Sequence, residues 1–275
     1  MRFEIRGFEH YNKMDVTTRN FFRLLRAGVF GQQEKVEPMS ACKWRKTMLF
    51  AQAHGVEAET YAGLEVLNEQ YFIQIISPDV VKEWASLFSS RRARPEYDLS
   101  LLSPRLKKGL AAIAEKTDTA SADYQLLDAF VHLAYALLRD DQWVRQMLVT
   151  GELIRERGAR ASREQMKTWI KKLHLHKMIQ LEGALLVELL GLQQEELPFE
   201  VLPSNFDIDR FASAIPHSQE QMRFSQGKDI FVHTSNKSAM VWNARRSARF
   251  FRYNPTESIA NLFSSFAKSL TNIEE

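Results

Sequence analysis

Asp207 and Asp209 stand two residues apart in NFDIDRF, and Glu96 and Asp98 repeat that spacing in RPEYDLSLL. Alternate residues of a strand point to one side, so either pair could aim two carboxylates at one divalent cation, the arrangement that serves phosphoryl and nucleotidyl transfer. Each pair also has a plainer reading. Asp207 can cap a short helix running into RFASAI, with Asp209 in its positively polarised first turn, and this cap is the favoured reading. Glu96 and Asp98 follow Arg91, Arg92 and Arg94 in what reads as a solvated loop.

A second chemistry lies in ARRSARFFRY, where Arg245, Arg246, Arg249 and Arg252 alternate with Phe250, Phe251 and Tyr253. On a helix Arg245, Arg249 and Arg252 share a face, so they could grip phosphates while the aromatic residues anchor the other side. The simpler alternative is a wet face over a buried one. Residues 91–108 hold a further basic stretch: Arg91, Arg92, Arg94, Arg105, Lys107 and Lys108. His174 and His176 are two apart in a helical pattern, which turns them to nearly opposite faces, whereas ligands on a helix need three- or four-residue spacing. No metal site is expected. Cys42 has no neighbouring histidine to act as its base, and no glycine-rich phosphate loop, GxSxG elbow or HExxH is present.

These groups sit in an ordinary globular composition. Of 275 residues, 45% are hydrophobic and 26% charged, and 37 basic residues nearly cancel 34 acidic ones, so charge alone does not imply nucleic acid. The length suits one large domain or two modest ones with a substantial core. One cysteine excludes an intrachain disulfide. A reducing compartment fits that usage, and the opening MRFEIRGFEHYNKMD lacks the apolar core of a signal peptide. The expectation is a cytoplasmic protein with no membrane partner.

The elements that must position these groups read as helices. The first spans about Val16 to Val29, with Thr17 or Thr18 as N-cap and Gly28 and Gly31 as its stop. Ser40, Ser77-Pro78, Ser103-Pro104 and Ser162 with Gln165 mark further starts, and Asn254 with Glu257 around Pro255 makes a looser capping box. Tyr124–Leu138, Asp141–Glu156, Arg163–Met178 and Ile179–Gly191 carry helical patterning, and the last, apolar nearly all round, belongs at a bundle centre. Strand candidates are Tyr71–Ile76 and Asp229–His233. The spacing therefore predicts an all-α or nearly all-α protein, a helical bundle with at most a small β element: a helical segment over 1–88 and a larger bundle over 89–275, packed as one unit.

Several stretches resemble, in collinear order, an uncharacterised bacterial nucleotidyltransferase family of the polymerase-β-like superfamily. FFRLLRAGVFGQQ resembles the family's first helix, which ends close to LLRAGLWG, and Trp44–Leu64 resembles its Ala-Gln helix and the turn after it. His132, Leu133, Arg145 and Gln146 match its His-Leu and Arg-Gln positions. Leu181–Phe199 and Arg249–Phe263 resemble its Leu-Gly-Leu, Pro-Phe tail and its aromatic terminal helix. The resemblance implies a catalytic sheet with an Asp-x-Asp pair, a third carboxylate and Mg²⁺. Here the interval between Trp84 and Phe130 is too short and too helical for that sheet, and Asp207 and Asp209 lie beyond the Pro-Phe tail.

The resemblance thus implies a degenerate member that lacks the catalytic core and serves as a binding or regulatory module. It would need no cofactor and would have a protein partner or a phosphate-containing ligand. One alternative is an active, Mg²⁺-dependent nucleotidyltransferase with a site rebuilt from Glu96, Asp98, Asp207 and Asp209. The other is a nucleic-acid-binding helical module led by Arg245, Arg246, Arg249 and Arg252.

Overall fold

The computed structural model describes residues 14–71, 76–87, 102–139, 142–202, 208–212 and 247–271, and among them every regular element is helical. In order these are α1 (Val16–Phe30), α2 (Ala41–His54), α3 (Glu57–Tyr71), α4 (Pro78–Leu87), α5 (Pro104–Ala114), α6 (Ala122–Arg139), α7 (Trp143–Arg157), α8 (Arg163–Leu173), α9 (His176–Leu190), α10 (Ile208–Ala212) and α11 (Pro255–Thr271). The fold is all-α, with no strand among the described residues. Of the two strand candidates, Tyr71 closes α3, while 72–75 and 229–233 lie outside the described residues. Among the described residues no helix is long and apolar enough to cross a membrane.

Cap chemistry sets most boundaries. The Ser40, Ser103 and Ser162 side chains accept from the amides of Lys43, Leu106 and Gln165 at the starts of α2, α5 and α8. At α1 the cap is Asp15, which accepts from the Thr17 amide at 3.0 Å, rather than Thr17 or Thr18; both threonines are buried inside the first turn. Gly31, Gly55 and Gly191 close α1, α2 and α9 with φ between +63° and +67°. His174 does the same for α8 at φ +57°, so the continuous helix expected over Arg163–Met178 is two helices, with α9 beginning at His176. Histidine is among the few non-glycine residues that tolerate this conformation.

Gly28 has a different task from the expected stop. It lies inside α1, which crosses α3 at Gly63. A Cβ on Gly28 would meet the Glu59 carbonyl oxygen at 2.2 Å, and one on Gly63 would meet the Leu24 carbonyl oxygen at 1.9 Å. The two helices touch backbone to backbone, which only glycine permits. α1 is then walled in on both flanks. Phe21, Phe22 and Leu25 enter a large core that runs through Phe50, Phe130 and Leu185, whereas Leu24 and Ala27 enter a smaller one with Trp44, Leu64 and Trp84.

The extended connection after α1 is pinned back along it. Asn20, fully buried, exchanges two hydrogen bonds with the Glu37 backbone, at 2.8 and 2.9 Å. Arg19 and Arg23 grip the Glu37 carboxylate at 2.7 and 2.8 Å, and Arg26 takes Glu34 at 2.6 Å. The Arg19 hydrogen bond, reinforced by the charges of Arg19 and Arg23, holds the Glu37 carboxyl down at about 2.

Helices on both sides of residue 88 share the larger core, and polar ties join them. Arg145, buried on α7, donates to the Gly55 carbonyl and faces the Glu59 carboxylate at 3.7 Å. Gln32 donates to the Leu190 and Gly191 carbonyls at 3.3 and 3.1 Å, satisfying the end of α9. α9 is central as its composition predicts, packing against α1, α6, α7 and α8 with Leu181, Leu185, Leu186 and Leu189 fully buried. At the far end Asn254 caps α11 by accepting from the Glu257 amide at 3.2 Å. The expected capping box is only half formed, because the Glu257 carboxylate reaches away to accept from the backbone and hydroxyl of Ser103.

Among the described residues, two buried ionisable side chains leave all of their polar atoms without a hydrogen-bond partner: both ring nitrogens of His54, edge-on to Trp143 at 5.6 Å, and both carboxyl oxygens of Glu182. Burial pushes His54 down to about 3 and Glu182 well above its ordinary value.

Gly63→Ala is expected to lower the stability by about 3 kcal/mol, because the overlap exceeds what alanine's helix preference returns; the urea midpoint measures it. The two buried groups give opposite pH limbs. The unfolded state takes up a proton on His54 below about 6.5 and the folded state does not, so stability is lost as pH falls from there toward about 3, by about 1.4 kcal/mol per pH unit. Folded Glu182 keeps its proton, so stability is lost as pH rises above the ordinary 4.5. Glu182→Leu is expected to raise the urea midpoint more at pH 8 than at pH 5, and His54→Leu to flatten the acid limb.

Candidate functional site

α8 is amphipathic in a simple way. Met166, Trp169, Ile170 and Leu173 turn into the core, and Arg163, Lys167 and Lys171 line the exposed side at four-residue intervals. The left-handed turn at His174 then swings the chain into α9, whose first turn exposes His176 and Lys177. A lysine at a helix start opposes the helix dipole, and neither an acidic side chain in that turn nor a side-chain cap relieves Lys177. Lys167, Lys171 and Lys177 make no ion pair among the described residues.

These basic residues share the lining of a groove of about 1030 Å³ with Leu202, Phe251, Arg252 and Phe199. Gln180 on α9 fixes the Leu202 side of the groove. It donates to the Glu200 carbonyl and accepts from the Leu202 amide, both at 2.7 Å. Residues 251–253, which also line it, form a turn between a helical turn at 247–250 and α11. Phe251 in this turn is 52% exposed and Leu202 47% exposed, both large apolar groups in a charged setting. Arg252 lies over the Tyr253 ring at 4.8 Å. Five Lys or Arg side chains (Arg163, Lys167, Lys171, Lys177, Arg252) thus line the groove against the carboxylates of Glu164 and Glu200. Such a groove suits an anionic ligand that also offers apolar faces.

Of the four arginines singled out in the sequence, Arg252 lines this groove. Arg249 is half-buried with its Nε lacking a partner, and Arg245 and Arg246 lie outside the described residues. Arg249 and Arg252 do not share a helix face as the spacing suggested, because the helical turn ends at Phe250, whose carbonyl accepts from both Tyr253 and Asn254 at 2.9 Å. Pro255 disfavours helical geometry at Asn254, the residue before it, so α11 begins afresh there. Glu96, Asp98 and Asp207 lie outside the described residues. Asp209 is the second residue of α10. Among the described residues no group of three His, Cys, Asp or Glu side chains could hold a metal.

The sequence reading overlooked Arg163, Lys167 and Lys171, although their four-residue spacing was available as a signal. It had no signal for Leu202, which Gln180 positions from 22 residues away.

The positions singled out by family resemblance part company. His132 and Gln146 line a second cavity of about 420 Å³ between α6 and α7. There the His132 Nδ1 lies 2.8 Å from the Asp128 carbonyl oxygen and 3.2 Å from its carboxylate. Burial alone would lower the imidazole's pKa, but the hydrogen bond and charge of Asp128 outweigh it and raise it. Leu133 is core, and Arg145 is the buried tie to Gly55. Compared with known proteins, the chain matches no family model, no curated protein and no solved structure.

Proposed function

We propose that this chain is a nucleic-acid-binding helical module whose contact surface is the groove between α8, the start of α9 and the turn before α11. One observation carries the reading: cations that make no ion pair among the described residues and exposed apolar side chains line the same groove. Phosphates replace the missing counter-charges, and release of their condensed ions supplies affinity. The exposed Phe251 and Leu202 give bases a surface that simple salts cannot use. This keeps the binding role that the resemblance to the nucleotidyltransferases implies, and it calls on none of Glu96, Asp98, Asp207 and Asp209.

Binding of a fluorescently labelled oligonucleotide, followed by anisotropy, is expected to weaken with salt with a log–log slope of about −3 to −4, as five phosphate contacts to a flexible strand would give. Lys167→Glu combined with Lys171→Glu is expected to weaken binding at least tenfold at about 0.1 M salt and to leave the helical circular dichroism unchanged. Salt-independent binding, or none, would remove the reading. Mg²⁺-dependent nucleotidyl transfer from labelled nucleoside triphosphates, abolished by Asp207→Ala or Glu96→Ala, would assign the enzyme alternative instead.

A further inference from the structure

Resting on that reading, we infer that the groove takes a single strand rather than a duplex, with Phe251 as a platform on which one base stacks. The inference starts from how Phe251 comes to be exposed. Its neighbours Phe250 and Tyr253 are 2% and 6% exposed, and both rings pack on Phe211, at 5.5 and 6.2 Å between centroids. The same short turn is closed by hydrogen bonds from Tyr253 and Asn254 to the Phe250 carbonyl, and Asn254 begins α11 as its cap. With both flanks anchored in the core, the ring between them is presented by a fixed backbone. A ring held this way loses little freedom when a flat partner lies on it.

The cation row suits the same ligand. Arg163, Lys167 and Lys171 rise along α8 by about 6 Å per step, close to the separation of successive phosphates in an extended strand. A flexible strand can bring its phosphates to that row while turning a base toward Phe251 and Leu202, which line the same groove. A duplex cannot, because its base faces are already stacked on one another and its two backbones are held apart by pairing. Stacking needs no hydrogen bond to a base edge, so the groove should bind strands with little preference among sequences.

Three probes of equal length, about 16 nucleotides, separate the possibilities: a single-stranded oligothymidine, the same strand with abasic sugars in place of every thymidine, and a duplex. Anisotropy at about 0.1 M salt is expected to show the single strand binding about tenfold more tightly than either of the others. Phe251→Ala is expected to abolish the advantage over the abasic strand without changing the salt slope, and Phe251→Trp to keep it. Phe251 is half exposed, so neither change threatens the fold, and a thermal melt checks this. Equal binding of the three probes by the wild-type protein, or an advantage that survives Phe251→Ala, would overturn the inference and leave the binding module standing. Binding of no probe would overturn both.

Discussion

The contact on which the rest of the molecule depends is the crossing of α1 and α3, where Gly28 and Gly63 let two backbones meet with no side chain between them. That approach fixes where α1 lies, and α1 is the wall shared by both cores. Its Phe21, Phe22 and Leu25 seal the large core while Leu24 and Ala27 seal the small one. A helix surrounded in this way has no solvent face of ordinary width, which explains where its three arginines go. Arg19, Arg23 and Arg26 are folded back onto Glu37 and Glu34, so that the connection to α2 covers the charges that α1 cannot send into bulk water.

The groove inherits its geometry from that frame by two steps. α9 threads the centre of the bundle, its end held by Gln32 from the connection after α1 and its start turned by the left-handed His174. The turn at His174 sets the angle between the basic side of α8 and the first turn of α9, so the cations converge on one concavity. Gln180 then fixes Leu202, and the Phe250–Tyr253 anchors fix Phe251, in its lining. None of these supporting groups needs to touch a ligand. They hold the ones that would.

Much of the fold was legible in the sequence because helix boundaries are written locally. Ser40, Ser103 and Ser162 cap as their side chains dictate, and Gly31, Gly55 and Gly191 close as achiral residues do. Where the reading went astray, the deciding partner was distant or several residues competed. Gly28 resembled a stop because its reason for being glycine lies 35 residues on, at Gly63. Asp15, Thr17 and Thr18 could each cap α1, and only the packed direction of the helix selects Asp15. His174 carried no local sign of the left-handed conformation. For the groove, Arg252 was visible as part of an arginine cluster, whereas the row on α8 gained meaning only once α9 and residues 251–253 were placed against it. The carboxylate pairs were legible as chemistry, but spacing alone does not assign them a scaffold.

The bond between Ser103 and Glu257 spans 154 positions of sequence, yet it sits at the very start of α5. During synthesis the serine leaves the ribosome long before the glutamate exists. α5 can wind on its own cap in the interval, but its first turn stays without that carboxylate until α11 emerges. An early helix is thus latched by one made much later, and a nascent chain arrested before residue 257 carries an open flank at α5.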